Sequence, residues 1–206
     1  MKIDQDRKIH KPDDTVGLNV SGHILIKDKE TGEELVNKRN AIHYGNMAYI
    51  VAQALNSFNT ENAFIDRIAF GNGATSIDTA GKITYKTPKV SEAYENSAGL
   101  YSRTYSKRLN PASTDTFIST TVGASYTDIK ITATLGYNEP SDAELFDTAT
   151  NNAGNYVFDE IGLFTFPTDG SDIDTSTMLT HVIFHPVQKS QNRIIEIVYT
   201  VRIQLS

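Results

Sequence analysis

Apolar and polar residues alternate along residues 16–26, where Val16, Leu18, Val20, Gly22, Ile24 and Ile26 share one side, the pattern of a strand with one wet face. Gly32 follows within Asp28-Lys29-Glu30-Thr31-Gly32-Glu33, where a positive φ would suit a bulged hairpin turn, and Leu35-Val36-Asn37 brings the chain back. Residues 44–56 change period: Met47, Ile50, Val51, Ala54 and Leu55 form one helical stripe, with Asn46, Tyr49 and Gln53 elsewhere on the wheel. Asn40 or His43 can cap that helix at its start, and Asn56-Ser57 ends it. A single apolar stripe of this length needs a sheet or a partner to lie on.

Period two returns afterwards. Residues 64–70 predict a short strand running into Gly71-Asn72-Gly73, and residues 82–85 another. Strands are predicted at 116–122 and 127–137; in the second, Ile129, Ile131, Ala133 and Leu135 alternate with Lys130, Thr132 and Thr134. Residues 156–166, 179–187 and 193–205 complete the set, the last with Ile195, Ile197, Tyr199, Val201, Ile203 and Leu205 on one face. Residues 151–154 have turn chemistry, and Gln191-Asn192 suggests that the final two strands form a hairpin. Short, evenly spaced strands, one helix and no βαβ rhythm predict a mainly β fold, an antiparallel β-sandwich with one amphipathic helix and long loop excursions.

Two stretches stand outside this pattern. Residues 1–14 are charged and broken by Pro12-Asp13-Asp14, and read as an arm ahead of a single domain spanning 15–206. Residues 87–110 show no sustained period, and an irregular stretch of that length in a compact domain usually has a job of its own or a partner. They are expected to protrude or form an interface.

Composition narrows the function. The 206 residues include no cysteine, which excludes disulfides, thiolate metal sites and a cysteine nucleophile. A net charge of -6 without dense Lys/Arg runs argues against nucleic-acid readout. No apolar stretch reaches the roughly 18 residues needed to span a bilayer, so no membrane partner is expected.

Candidate chemistry is thin. Gly71-Asn72-Gly73 lacks the lysine and following helix of a phosphate cradle and reads as a turn after a strand. His181 and His185 would sit roughly 13 Å apart on a strand, too far for one metal, and His10, His23 and His43 are scattered. Asp159 and Glu160, as strand neighbours, are expected on opposite faces and so poorly placed to act as acid and base. One of them is expected to face the helix or a loop and accept backbone or arginine hydrogen bonds. No Gly-x-Ser-x-Gly elbow is present. No catalytic, metal or cofactor-binding residue is nominated, and no enzymatic role is expected.

The most suggestive cluster is Tyr94, Tyr101 and Tyr105 with Arg103, Lys107 and Arg108, because tyrosine and arginine carry interface energy. Together with Ile3, Arg7 and Ile9 of the arm, the residues Tyr94, Tyr101, Arg103, Tyr105 and Arg108 are the expected subunit contacts. The competing reading makes the tyrosines a stacking platform for a sugar, a glycan- or receptor-binding module.

Residues 24–43 (ILIKDKETGEELVNKRNAIH), 68–73 (IAFGNG), 157–164 (VFDEIGLF) and 179–186 (LTHVIFHP) together resemble virion structural proteins of tailed bacteriophages. The resemblance implies a virion component assembled in the host cytoplasm, a subunit of the neck, collar or tail-baseplate apparatus in a symmetric ring. Its implied partners are copies of itself and other virion structural proteins, with no cofactor; terminal arms and long loops in that family often lock neighbours.

Overall fold

The computed structural model describes residues 17–56, 63–110, 113–140, 156–168 and 173–205. The arm with Ile3, Arg7 and Ile9, and the turn at 151–154, lie outside the described residues.

Two five-stranded antiparallel sheets stack face to face, as the alternating pattern predicts. The first runs in the order β2 (Glu34–Arg39), β1 (Leu18–Asp28), β12 (Ile195–Leu205), β9 (Tyr126–Leu135), β8 (Thr116–Val122). The second runs β3 (Ala41–Ile42), β11 (Thr180–Lys189), β10 (Tyr156–Thr165), β4 (Ile65–Gly71), β7 (Arg103–Arg108). A small ribbon, β5 (Thr75–Ile77) with β6 (Ile83–Tyr85), and the helix α1 (Tyr44–Leu55) lie outside the two sheets.

The core lies between the sheets. Ile24, Ile26, Ile131, Leu135, Ile197 and Tyr199 meet Ile68, Phe70, Phe158, Ile161, Leu163 and Val182 there. In β1, β9 and β12 the inward residues are buried while Lys27, Lys130 and Arg202 take the other face, so the period-two pattern corresponds to burial. The β1–β2 hairpin turns as predicted: Gly32 has φ 74°, its N–H donates to Asp28 O, and Asp28 Oδ1 accepts from the amides of Glu30 and Thr31.

The turn at Gln191-Asn192 does not make a hairpin. It carries the chain from β11 in the second sheet to β12 in the first. Both strands are apolar on one side, and placing them in opposite sheets lets both sides enter the same core. Arg193 secures the crossing: its Nε donates to Asp28 Oδ2 at 2.6 Å, and its Nη1 donates to Gln188 O.

The helix is also placed differently from its stripe. His43 caps it, Nδ1 accepting from the Asn46 amide, but burial is confined to Gly45, Asn46 and Met47 in the first turn. Of the predicted apolar stripe, Met47 is buried, Ile50 and Val51 are half-buried, and Leu55 is 83% exposed. Asn46, which lies off that stripe, is fully buried.

Candidate functional site

The outer face of the second sheet positions the candidate site. Here β10 is buried on both sides, because the chain between β4 and β7 folds over it. The stretch expected to protrude therefore covers this protein's own sheet: Ala98 and Leu100 pack with Ala69, Phe164, Ile173 and Met178 in a second small cluster, and residues 103–108 form the edge strand β7. Hydrophobic periodicity missed β7 because Arg103-Thr104-Tyr105-Ser106-Lys107-Arg108 carries no apolar alternation, and its charged groups are paired with Asp174, Glu139 and Asp66, distant in the chain.

Two carboxylates hold this cover down. The β10–β11 register shifts between Phe158 and Glu160, a bulge that allows Asp159 and Glu160 to share the outer side instead of alternating. The expectation of opposite faces fails for this reason. Asp159 accepts from the amides of Ala74 (3.1 Å) and Thr75 (2.8 Å) and from the Thr75 hydroxyl. Glu160 accepts from the amides of Gly73 (3.3 Å), Tyr101 (2.9 Å) and Ser102 (2.8 Å), and its Oε2 lies 2.9 Å from His181 Nε2. His181 Nδ1 in turn accepts from the Lys89 amide at 2.8 Å, so Nε2 carries the proton given to Glu160. Both acids accept backbone hydrogen bonds, and no arginine is among their partners in these contacts.

Burial by itself would raise the Glu160 carboxyl; the bonds from His181, Tyr101 N and Ser102 N outweigh it and hold the group below its ordinary value. Gly71-Asn72-Gly73 is the predicted turn, and its glycines have a local cause. A Cβ on Gly71 would stand 2.5 Å from both Glu160 Oε1 and Ser102 O. The loop amides that resemble an anion cradle are filled by the protein's own carboxylates. Asp159 and Glu160 are shut off from solvent, so this arrangement anchors loops and presents no reactive group to a substrate.

The loops so anchored reach the helix and the sheet edge. Asn46 donates to Glu95 O and Met178 O and accepts from the Glu95 amide, tying α1 to the cover. Tyr94 packs against Tyr49 at 4.2 Å between centroids, the rings tilted by 35°. Beside them opens a cavity of about 190 Å³, lined in part by Ile50, Gln53, Ala63 and Thr177. The nominated residues fall into two groups. Tyr94 remains half exposed beside α1. The others make contacts within the chain: Tyr101 Oη donates to Thr87 O and its ring carries the Lys86 and Lys89 ammonium groups at 4.3 and 4.4 Å. Arg103 pairs with Asp174 at 2.6 Å, and Arg108 pairs with Asp66 while lying over the Phe166 ring. Tyr105 packs on Phe70, and burial, with Glu139 beside it, pushes its hydroxyl above the ordinary value. Lys107 spans the sandwich, donating from β7 to Thr134 O of β9 and to Glu139 at 2.6 Å.

Sequence reasoning named Asp159 and Glu160 as structural acceptors of backbone hydrogen bonds, but it did not place both on one side, pair His181 with Glu160 or single out Asn46, since the partners lie up to 132 residues away along the chain. It also did not single out as exposed the apolar residues Tyr44, Leu55 and Phe64, or Tyr49, which packs against Tyr94. Among the described residues, no group of three or more histidine, aspartate or glutamate side chains could hold a metal ion, and no helix is long and apolar enough to cross a membrane. No model of a known protein family matches the sequence, and neither a curated protein nor a solved structure matches it.

Proposed function

We propose that this chain is a structural subunit of a tailed-phage virion, part of a ring in the neck, collar or tail apparatus, acting by packing against copies of itself and other virion proteins. The observation that carries the reading is the set of exposed apolar side chains on α1 and beside it. Leu55 is 83% exposed at the end of the helix, Tyr44 at its start and Tyr49 between them are exposed, and the exposed Tyr94 packs against Tyr49; Phe64 is exposed at the start of the next described segment. Helices of three turns are held by tertiary packing of their apolar side; this one is fully buried only in its first turn, half-buried at Ile50 and Val51, and open at Leu55. A surface of this kind marks a protein contact. The sheets and the carboxylate-anchored loops give it a rigid backing.

An obligate ring contact should bury about 2,000 Å² or more. Mass photometry of the full chain, of the chain lacking residues 1–14 and of Leu55→Glu tests the reading. The full chain should form discrete oligomers, both variants should shift toward monomer, and cryo-electron microscopy of the phage particle should place the chain in the neck or tail. A monomer at every concentration, or one that turns over a substrate, overturns it. Binding on a glycan array would favour a receptor module instead, with Tyr94 as its remaining half-exposed platform ring.

A further inference from the structure

The two large sheets have four lateral edges among the described residues, and three are protected. β3 is two residues long. β7 carries Arg103, Lys107 and Arg108. β2 carries Glu34, Lys38 and Arg39, and Lys38 reaches over to donate to Ile183 O of the opposite sheet at 2.7 Å, closing that side. Short length and charge are the ordinary devices against edge pairing.

The fourth edge has neither. β8 is seven residues, Thr116-Phe117-Ile118-Ser119-Thr120-Thr121-Val122, without a charge, a proline or a glycine. It pairs with β9 in unbroken register from Thr116 opposite Ala133 to Val122 opposite Thr127. Phe117 is 64% and Val122 78% exposed. The Thr134 amide donates to Asp115 O at 2.8 Å, marking that pair as hydrogen-bonded. Antiparallel alternation then turns the amides and carbonyls of Phe117, Ser119 and Thr121 toward β9, and those of Ile118, Thr120 and Val122 outward.

We infer that the outer edge of β8 pairs antiparallel with the β8 edge of a second copy of this chain, about a two-fold axis at Ser119, joining two five-stranded sheets into one. The strand is self-complementary in that register. Ile118 faces the partner's Thr120, both with outward backbone groups, Phe117 faces the partner's Thr121, and Thr116 faces the partner's Val122. Asp115 falls opposite the partner's Gly123, so no charge meets a like charge. A chain of net charge -6 repels its own copy, and this uncharged strip is where two copies approach at least cost. Pairing also covers the exposed Phe117 and Val122.

The inference rests on the reading of the chain as a self-assembling subunit, and its test separates the two. Ser119 lies opposite Lys130 within the chain, so Ser119→Glu is tolerated by the fold yet sets two like charges together at the axis. Sedimentation velocity should show self-association of Ser119→Glu, and of Ser119→Lys, weakened at least about tenfold relative to the unmodified chain. An equimolar mixture of the two should recover it. Thr120→Pro, at an outward amide that edge strands tolerate losing, should weaken association without lowering the melting temperature. Unchanged association of Ser119→Glu and Thr120→Pro in a chain that still assembles overturns the β8 contact and leaves the proposed function standing. Failure of the mixture to recover overturns the two-fold register. An unmodified chain that is monomeric at all concentrations overturns both.

Discussion

The two sheets solve the same packing problem under different constraints. The first has one face in the core and one toward water, so β1, β9 and β12 keep apolar groups on one side and Lys27, Lys130 and Arg202 on the other. The second is enclosed on both faces along its centre. β10 runs buried from Phe158 to Thr165, and the two acids within it are sealed under loops whose amides they accept. A polar residue on the wet sheet is solvated by water; on the covered sheet it must be satisfied by a particular loop, and so it dictates where that loop lies.

The sharpest way to break this contrast is Glu160→Ala, which leaves the amides of Gly73, Tyr101 and Ser102 and the His181 ring without their acceptor. The expected loss is about 3–5 kcal/mol in denaturant unfolding, with hydrogen exchange accelerated first at Tyr101 and Ser102. Lys130→Ala on the wet sheet should stay within about 0.5 kcal/mol. Similar losses for the two would show that the carboxylate does not hold the cover. Next in size is Asn46→Ala, where Glu95 and Met178 lose partners for one amide and two carbonyls. It should cost about 1–3 kcal/mol and loosen the Tyr49–Tyr94 contact, read from near-ultraviolet circular dichroism.

These residues also explain what the sequence alone could and could not convey. Ile195, Ile197, Tyr199 and Val201 announce their strand and its buried side because water on one face enforces period two. The same logic located α1 and the Gly32 turn. It failed for β7, for the bulge that brings Asp159 and Glu160 to one side, and for the β11-to-β12 crossing, since each depends on partners distant in the chain. A bulge has no local signature in Phe158-Asp159-Glu160-Ile161, and the glycines of Gly71-Asn72-Gly73 mark a close approach without naming what approaches. The helix was half legible: its stripe was visible, but that the stripe ends on an uncovered Leu55 was not.

Titration separates two buried groups of the second sheet by sign. The folded Glu160 carboxyl sits below its unfolded value, so its contribution is complete above the ordinary carboxylate range and is lost as pH falls through the folded value. Lys189 is the reverse: burial lowers its ammonium from 10.5 to about 8, so between those values the unfolded chain binds the extra proton and stability rises with pH. Denaturant midpoints across pH should therefore fall on the acid side and climb from about 8 toward 10.5. Glu160→Gln should flatten the first limb and Lys189→Met the second. An unchanged acid limb in Glu160→Gln would assign acid sensitivity to other carboxylates.

The smallest effect belongs to the wet sheet and calibrates the rest. Lys27 of β1 and Glu196 of β12 are cross-strand neighbours, with Nζ 2.8 Å from Oε1 and both side chains partly solvated. Water screens such a pair, and fixing two long side chains costs entropy, so a double-mutant cycle with Lys27→Ala and Glu196→Ala should return a coupling of about 0.5 kcal/mol that shrinks in 1 M salt. A coupling several times larger would mean that the face is not free but lies against another surface that excludes water. In that event the first sheet would resemble the second, and the contrast between them would reflect which cover is carried in the chain and which is supplied by a partner.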